Sequence, residues 1–523
     1  MHEFDLKSCI KNYTLDQDKV ISPEETVKKV FNLLSNCDLD ILQKIIRANT
    51  YKFDIPVYLA KGGVDFISVV NNSSHTWGKG VTHAQAQASA LMELIERFSA
   101  FSYSYFSDSD KNIFYSYNEI KDKVPDIKYL FPLLTHVKDE ESVFKELSNI
   151  PLHWTMSYNL TKQKFCFMPL IFNDITGSNG LAAGNTIEEA IFHGICEIIE
   201  RHVFSKIELE KIITPEIDIE SIKHPLFLSL IEKFNSIKMD LIFKDFTLDL
   251  EIPTIAAIGR YKDGIDKHNW RYIGVGTHTD PLKAIFRALT ELVQINIHNI
   301  PRITMKDEEI FKFAAQGVIK SGMIDKNTAT FFEKNNGKIN FNQIKNYFNI
   351  DIKNEIETTI NILAKKNIDI IVINQTHPLL NIPVVRVIGT NTIFNCQRTT
   401  ILNIYFYQGI CYKRIKEYDK ALISLNKAKK EVEYPDIYKE IALCYNILYN
   451  ETGNNKYRDL AIENFKQAVE ISKEIHLPTY CQLSKLLVEK GEKYQAQNYF
   501  KQVLKINPLY KNIVSNKLSK ILD

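Results

Sequence analysis

Three stretches of this sequence place glutamate and arginine at helical spacing directly behind a glycine-rich turn. They read GKGVTHAQAQASALMELIERF (78–98), GLAAGNTIEEAIFHGICEIIERHVF (180–204) and GVGTHTDPLKAIFRALTELVQ (274–294). Residues three and four apart share one face of a helix, so the charged residues form a polar stripe on an otherwise apolar helix. Carboxylates favour Mg²⁺ and arginine favours phosphate. The pattern therefore predicts a site that binds a phosphorylated ligand together with a metal ion.

The polar stripe is similar in the three predicted helices. It consists of Ser89, Glu93, Glu96 and Arg97 in the first helix, of Glu189, His193, Glu197, Glu200 and Arg201 in the second, and of Arg287, Glu291 and Gln294 in the third. Each helix also has a recognisable start. Capping boxes are predicted from Thr82 with Gln85 and from Thr186 with Glu189, and an N-cap from Asp280 before Pro281.

A purely structural reading of each helix alone is also open. Glu93–Arg97 and Glu197–Arg201 are ordinary i,i+4 pairs, which contribute only about a few tenths of a kcal/mol on an exposed helix. Three similar helices favour the functional reading, because eleven of the 65 basic residues are arginine and three of those lie in the stripes. Glutamates on nearly apolar helices are costly to bury without compensation. We therefore predict that the three helices converge and that Mg²⁺ balances their excess negative charge.

Other routes to nucleotide or hydrolytic chemistry are not supported by the sequence. It contains no GxxxxGK[ST] loop, and the Gly78-Lys79-Gly80 turn resembles only the tail of that motif. HExxH, GxSxG and the kinase HRD/DFG set are also missing. If a nucleotide binds, we expect helix-borne carboxylates to hold it through metal.

Composition bounds the class of protein. The chain has 523 residues and a formal net charge of +2, so we expect no chain-wide nucleic-acid binding and two to four folding units. Its eight cysteines form no CxxC pair, which argues against a zinc or iron–sulfur site. The polar N-terminus does not read as a signal peptide, and no stretch approaches a membrane span. We expect a soluble, cytoplasmic protein.

The chain divides into two parts near residue 400. Residues 1–400 alternate strand-like and helix-like segments and predict a mixed α/β core. The predicted strands are 64–70, 165–170, 254–260, 272–275, 368–373 and 383–388, and the predicted helices are 22–35, 82–103, 186–206, 281–298 and 354–366. The Lys/Asn-rich stretch 306–350 reads as a surface insertion.

Residues 401–523 are rich in helix formers and contain an internal repeat. Ala421, Leu425 and Ala428 begin a pattern of small and large apolar residues, which recurs at Ala461, Phe465 and Ala468 and again at Ala496, Phe500 and Val503. The recurrence is close to the tetratricopeptide period. An unrelated antiparallel helix bundle is the alternative. Stacked repeats of this kind supply a protein-binding surface and not chemistry.

At these residues the sequence resembles the YcaO family, ATP-dependent enzymes that act on peptide backbone amides. The family's Ser-x-x-x-Glu-x-x-Glu-Arg corresponds to 89–97, behind a Gly-Lys-Gly at 78–80. Its Asn-[Thr/Ser]-x-x-Glu-Ala and Glu-x-x-Glu-Arg correspond to 185–190 and 197–201, and its Arg-x-x-x-Glu to 287–291. The segment THPLLNIPVVRVIG (376–389) resembles the family's terminal strand region. The resemblance covers roughly residues 15–395.

The resemblance implies roles for individual residues. It implies Mg²⁺ ligands at Glu93, Glu96, Glu189, Glu197, Glu200 and Glu291. It implies contacts to ATP from Lys19, Thr26, Lys79, Ser89, Arg97, Asn185, Glu189, Arg201 and Arg287. Lys19 and Thr26 are matched to a family lysine followed by a hydroxyl residue seven positions later. No protein nucleophile is implied.

The reaction implied by the resemblance begins with a nucleophile adding to a backbone amide carbonyl. ATP then phosphorylates the oxyanion, and phosphate leaves with the former amide oxygen. Sulfide would give a thioamide, as on a glycine of methyl-coenzyme M reductase, and an internal Cys, Ser or Thr would give an azoline. Family cyclases commonly end in a proline-rich tail, whereas this chain ends LSKILD after helical repeats, so thioamide formation is favoured.

Alternatives and partners follow from the same comparison. An azoline-forming cyclodehydratase and a YcaO protein that supports ribosomal protein methylthiolation stay open, as does a non-enzymatic adaptor with a relic ATP fold. Expected partners are a peptide or protein substrate, a TfuA-like protein that supplies sulfide, and proteins bound by the repeats. The resemblance also admits a homodimer, because family members often dimerise.

Overall fold

The architecture is known from a computed structural model of the full chain. The structure describes residues 4–48, 54–70, 75–106, 112–126, 140–170, 177–262, 271–295, 323–324, 331–393, 404–471 and 477–506. All structural statements below refer to these residues. They include every residue of the three stripes.

Three β-sheets form the framework of the N-terminal part. The strands are β1 Leu42–Arg47, β2 Val57–Gly62, β3 His75–Lys79, β4 Asn112–Ser116, β5 Pro151–Asn159, β6 Lys164–Pro169, β7 Leu181–Ala183, β8 Glu216–Asp218, β9 Met239–Asp245, β10 Thr254–Tyr261, β11 Arg271–Thr277, β12 Met323–Ile324, β13 Lys338–Asn340, β14 Ile370–Asn374 and β15 Val384–Gly389. Their orders are β1-β2-β3, β12-β11-β10-β9-β8-β13 and β4-β5-β14-β15-β7, with β6 paired to β5. Apart from the parallel β8–β13 pair, the pairings are antiparallel.

Helices cover these sheets and form the C-terminal part as far as it is described, residues 404–471 and 477–506. They are α1 Pro23–Ser35, α2 Val64–Val69, α3 His83–Phe106, α4 Tyr117–Ile120, α5 Glu140–Ser148, α6 Ile187–Glu210, α7 Pro225–Ser236, α8 Pro281–Ile295, α9 Ile352–Ala364, α10 Ile404–Arg414, α11 Tyr418–Glu431, α12 Pro435–Thr452, α13 Asn455–Ile471, α14 Leu477–Glu489 and α15 Lys493–Ile506. The mixed α/β core followed by an all-α region confirms the predicted fold class. None of the helices in the described part of the chain is long and apolar enough to cross a membrane.

The three predicted site helices are α3, α6 and α8, and each packs on the strand that precedes it. Glycine makes this close packing feasible in the first and third stretches. A Cβ atom at Gly78 would lie 2.1 Å from the carbonyl oxygen of Ala86, and one at Gly276 would lie 2.3 Å from that of Ala284. Contacts this short exclude any side chain. Gly78 on β3 and Gly276 on β11 thus allow α3 and α8 to pack closely on these strands.

One predicted strand is wrong. Residues 64–70 form helix α2 and not a strand, whereas the other five predicted strands coincide with β6, β10, β11, β14 and β15. Asp40 explains the difference, because its carboxylate accepts the Val64 N–H at 2.9 Å and its carbonyl accepts that of Asp65 at 3.0 Å. A residue distant in the sequence therefore satisfies the helix N-terminus.

Residues 331–350 lie mostly at the surface, as predicted for 306–350, but two of them are buried and anchor the segment. Phe332 is buried and contacts Phe204 and Phe246, and β13 adds a parallel strand to the six-stranded sheet. Lys244 on β9 donates to the Lys334 carbonyl and holds the segment in place. Most of residues 306–330 lie outside the described ones.

The C-terminal helices carry the predicted repeat pattern. Ala421, Ala461 and Ala496 are fully buried at helix–helix contacts, as are the large residues Leu425 and Phe465. The predicted boundary near residue 400 falls in 394–403, which lie outside the described residues. The repeats also pack on the N-terminal part. One buried cluster joins Leu425 to the β5–β6 region, and another contains Tyr480 and Phe500 beside α1 and α3, so the two parts share hydrophobic cores.

Candidate functional site

A cavity of about 400 Å³ lies between α3, α6 and α8. Every residue that the sequence nominated for ATP or metal lines it. They are Lys19, Thr26, Lys79, Ser89, Glu93, Glu96, Arg97, Asn185, Glu189, Glu197, Glu200, Arg201, Arg287 and Glu291. The volume falls in the ordinary range of small-molecule sites. The three stripes therefore converge on one site, as their spacing predicts.

The first helix presents the half-buried Glu93 and the buried Glu96 together with one arginine. Thr82 caps α3 by accepting the Gln85 N–H at 3.1 Å. Arg97 Nη2 lies 3.1 Å from Glu93 Oε1, and Arg97 Nε lies 3.6 Å from Glu96 Oε1. Burial raises the pKa of Glu96 to about 8, although the charge of Arg97 opposes this shift. Glu96 therefore binds a proton readily at neutral pH when no cation is present.

The start of the second helix differs from its prediction. Thr186 caps α6 by accepting the Glu189 N–H at 3.2 Å, but the Glu189 side chain does not return to Thr186. Its two oxygens accept the Asn185 N–H at 2.8 Å and the Val20 N–H at 2.6 Å, and Lys19 lies 3.8 Å away. The predicted capping box is therefore incomplete. Glu189 joins the N-terminal segment to the helix instead.

The middle of the second helix repeats the arrangement of the first. Arg201 Nε lies 3.9 Å from Glu197 Oε1, and Arg201 Nη2 lies 3.9 Å from Glu200 Oε1. Burial raises the pKa of Glu197, and the charge of Arg201 opposes the rise. Asn185 completes this helix's contribution by donating to the Thr26 hydroxyl at 3.0 Å, which brings α1 to the cavity.

The third helix contributes Arg287 and Glu291 to the cavity wall. Asp280 caps α8 by accepting the Leu282 N–H at 2.9 Å, as predicted. Glu291 forms an ion pair with Lys79 from the end of β3. Burial lowers the pKa of Lys79 to about 8. This pair joins the Gly-Lys-Gly turn of the first stretch to the helix of the third.

The glutamates do not form a metal site by themselves. In the described part of the chain no three His, Cys, Asp or Glu side chains lie close enough together to hold a metal ion. Mg²⁺ is commonly bound by one or two carboxylates, waters and substrate phosphates, so such a cluster is not required. Burial, and to a smaller extent the neighbouring carboxylates, raise the pKa of Glu96 and Glu197, and a divalent cation would stabilise their charged forms. The donor set therefore fits Mg²⁺ that enters with a phosphorylated ligand.

Some cavity residues, among them Gln17, Trp77 and Ser178, were not singled out in the sequence. His193 and Gln294 were placed on the stripes, but no contact to ATP or metal was predicted for them. His193 lies on the α6 stripe, so its spacing was a usable signal. Burial, together with the charges of Arg287, Lys19 and Lys79, holds its pKa well below the ordinary range. His193 is therefore neutral at pH 7.

Arg386 is a further charged residue beside the cavity. It is buried on β15 and donates to the carbonyls of Gly177 at 2.8 Å and Asn179 at 3.3 Å. These contacts hold the turn that places Ser178 in the wall, and the charge of Arg386 lowers the pKa of Glu96. A lone arginine within the apolar run PVVRVIG was the available signal for it.

Comparison with known proteins gives two family matches. The model of the YcaO family, described as an ATP- and Mg²⁺-binding cyclodehydratase, matches residues 77–391. A tetratricopeptide-repeat model matches residues 477–508. The first match covers more than half of the chain and includes all three helices of the cavity.

Several proteins are similar to this chain in sequence, among them two uncharacterised ones. An uncharacterised protein of Methanothermobacter thermautotrophicus is 27% identical over 388 residues, which span 71% of this chain and 94% of the relative. An uncharacterised protein from the region 3′ of tfuA in Rhizobium leguminosarum bv. trifolii is 30% identical over 168 residues, 28% of this chain and 40% of that protein.

Several solved structures share the fold, among them two with TM-scores above 0.5. A heterocyclase in complex with substrate and cofactor has a TM-score of 0.60 at 22% identity over 75% of this chain; the match spans about half (54%) of the heterocyclase. YcaO from Methanopyrus kandleri, bound with AMPPCP and Mg²⁺, has a TM-score of 0.52 at 18% identity and is matched over 73% of this chain and 94% of that one. At these identities the likeness is one of fold.

Proposed function

The chain belongs to the YcaO family, and on that premise we propose that it uses ATP and Mg²⁺ to activate a peptide backbone amide for exchange of its oxygen for sulfur. Membership of the family makes it an ATP-dependent, peptide-modifying enzyme. The observation that carries the proposal is that fourteen nominated residues from four separate segments line one cavity. Chance convergence of this many acids and bases is hard to reconcile with the cost of burying them.

The proposed division of labour follows the charges of the cavity. Glu93 and Glu96 on one wall and Glu197 and Glu200 on the facing wall would hold Mg²⁺, which supplies charge neutralisation on the phosphates. Glu291 is a fifth ligand candidate once Lys79 turns from it toward phosphate. Glu189 is the weakest of the six nominated ligands, because backbone donors occupy both its oxygens. We assign it a positioning role.

Cations and hydrogen-bond donors would bind the nucleotide. Arg97, Arg201 and Arg287 can each donate in a fork to phosphate oxygens, and they already stand in the cavity wall. Lys19 and Thr26 reach the cavity at the α1 end, where Asn185 holds Thr26. Fixed donors of this kind stabilise charge that develops as the phosphoryl group transfers.

The chemistry requires no protein nucleophile. In the proposed reaction sulfide adds to the amide carbon, and the oxyanion attacks the γ-phosphorus of ATP with release of ADP. Phosphate then leaves with the former amide oxygen, and loss of a proton gives the thioamide. Cys196 on α6 is buried and packs in the hydrophobic core, so it is not a candidate for a covalent role.

One observation favours sulfide over an internal nucleophile. A relative is named for the region 3′ of tfuA, and we propose that a TfuA-like partner supplies sulfide to this chain. The description of the family model as a cyclodehydratase favours the second candidate, azoline formation. In either case we propose that the repeats bind the protein that carries the substrate peptide.

The test is a product analysis. The purified chain would be incubated with ATP, Mg²⁺, sulfide and a glycine-containing peptide, and the peptide's mass would be measured with and without ATP. We expect an ATP-dependent mass increase that corresponds to sulfur in place of oxygen. Loss of water would identify azoline formation instead. Unchanged mass, with a peptide that a family enzyme does modify, would rule out the proposal.

A further inference from the structure

The N-terminal segment forms a short hairpin, here called the N-terminal hairpin (residues 13–19). Tyr13 and Lys19 pair as an antiparallel bridge, with N–H to O distances of 3.0 and 2.9 Å. The hairpin precedes α1 and lies outside the region 77–391 that the family model matches. Its last residue, Lys19, lines the cavity. Other hairpin residues contact the beginnings of α3 and α8, and Lys19 and the following Val20 contact that of α6.

The hairpin is joined to the first helix by Asp16. This buried carboxylate accepts the Tyr13 hydroxyl at 2.6 Å on one oxygen and the Val81 N–H at 3.2 Å on the other. Val81 lies between the Gly-Lys-Gly turn and the Thr82 cap. Asp16 therefore fixes the hairpin to the turn that carries Lys79 into the cavity.

The second helix is held immediately after the hairpin. The Val20 N–H donates to Glu189 Oε1 at 2.6 Å, and the other oxygen of Glu189 accepts the N–H of Asn185. One carboxylate on the first turn of α6 thus connects the end of the hairpin to the start of the helix. Lys19, 3.8 Å from Glu189, adds a charge interaction at the same place.

The third helix reaches the hairpin through Lys283 on its first turn. The Lys283 ammonium donates to the carbonyls of Thr14 and Leu15, which form the tip of the hairpin. Asp18 adds a second connection, because its Oδ2 lies 3.5 Å from His278 Nε2, just before α8. Two independent contacts therefore tie the tip and the return strand to the beginning of α8.

A buried charge network makes the hairpin rigid. Lys11 Nζ lies 2.7 Å from both Asp18 and Glu355, and the three side chains are 0–1% exposed. Buried ion pairs with all partners present are costly to break, because removal of one partner leaves the other charge unpaired. Glu355 on α9 also accepts the Thr279 hydroxyl at 2.7 Å. The hairpin is thus clamped between α9 and the start of α8.

We propose that the N-terminal hairpin sets the positions of the three helices relative to one another, and that Asp16 and Lys283 are positioning residues for nucleotide binding. The inference rests on the proposed function, since the affected property is affinity for Mg²⁺–ATP. Neither residue needs to touch the nucleotide. Asp16 fixes the first stretch against the N-terminal hairpin, and Lys283 fixes the third stretch against it. The carboxylates and arginines of α3 and α8 therefore stay in register with those of α6.

The experiment is calorimetric titration of the full chain with AMPPCP in the presence of Mg²⁺, alongside thermal unfolding without ligand. Asp16→Asn cannot accept both hydrogen bonds, and Lys283→Met loses both of its donors. We expect each to raise the dissociation constant by about tenfold or more, as for loss of a charged hydrogen bond.

Tyr13→Phe is the matched control. It removes the hydroxyl but leaves the Asp16–Val81 contact, so its dissociation constant should stay within about threefold of wild type. Lys283→Arg should restore most of the affinity that Lys283→Met loses.

The outcomes separate the two proposals. A wild-type chain that does not bind Mg²⁺–AMPPCP would overturn the proposed function, and the inference with it. A wild-type chain that binds while Asp16→Asn and Lys283→Met bind equally well would overturn the inference alone. A lower melting temperature with an unchanged dissociation constant would give the hairpin a purely structural role, which also contradicts the inference.

Discussion

The ammonium group of Lys79, at the end of β3, pairs with the carboxylate of Glu291 on α8 and so connects the first and third acidic stretches across the cavity. Burial lowers the pKa of Lys79 to about 8. A lysine that is partly desolvated and held by one carboxylate can turn to a phosphate when metal takes over the carboxylate. This pair leads to a prediction of how nucleotide affinity depends on pH.

Affinity for the nucleotide should fall as pH rises through about 8, because Lys79 then loses its proton. Lys79→Arg is the control, since arginine keeps its charge. Calorimetry with Mg²⁺–AMPPCP from about pH 7 to about pH 10 should show a steeper loss for wild type than for this variant. Parallel profiles would mean that Lys79 does not contact the nucleotide.

Replacement of Glu197 and Glu200 together by glutamine should abolish ATP turnover, because both carboxylates face the cavity and are proposed to hold Mg²⁺. Glu210→Gln is the matched control, since this exposed glutamate lies at the end of the same helix, α6. Release of phosphate in the presence of peptide substrate is the readout. Turnover that survives in the double variant would refute the metal assignment.

Stability of the metal-free protein should fall as pH rises toward 8. The folded state holds a proton on Glu96, whose pKa is raised to about 8, while the unfolded state releases it at the ordinary glutamate value. Within that window the folded state binds more protons, so the free energy of unfolding decreases with pH. Denaturant unfolding at several pH values measures the slope.

Glu96→Gln serves as the control for this pH effect, because glutamine does not titrate. The groups that act on Glu96 are Arg97 and Arg386, which lower its pKa, and Glu93 and Glu197, which raise it. The free energy of unfolding should decrease less with pH in the variant than in wild type over the same window. An equal slope in both proteins would assign the effect to another group.

The repeats should contribute to the stability of the catalytic part. Tyr480 is buried in the cluster that contains Phe66 and Leu380, so Tyr480→Ala should lower the free energy of unfolding by about 3 kcal/mol. Tyr494→Ala is the comparison, because this side chain is 75% exposed. Denaturation followed by the tryptophans, all of which precede the repeats, should show the loss for the first variant alone. If the repeats unfolded without a change in the signal of the tryptophans, the two parts of the chain would not share a core.

Local sequence patterns predicted most of the elements that carry the site. The starts of α3, α6 and α8 were predicted from Thr82, Thr186 and Asp280, because caps act within one helical turn. The stripes were predicted for the same reason, since spacing along a helix fixes which residues share a face. Both the caps and the helical spacing specify local backbone geometry.

Contacts between distant segments were not predictable in the same way. Helix α2 forms because Asp40 satisfies its first N–H groups, and a strand-like composition gave no sign of this. Glu189 fits a capping box by spacing, yet its side chain turns to Asn185 and Val20. Asp16 and Lys283 are ordinary charged residues in the sequence. Their role is visible only where the hairpin meets the three helices.

The central claim is that ATP removes the oxygen of a peptide amide at the cavity between α3, α6 and α8. The most direct measurement uses a peptide whose target amide carries a heavy isotope of oxygen. After reaction with ATP and Mg²⁺, the released phosphate would be analysed by mass spectrometry. We expect one heavy oxygen in the phosphate, whichever nucleophile enters. Modified peptide formed together with unlabelled phosphate would contradict it.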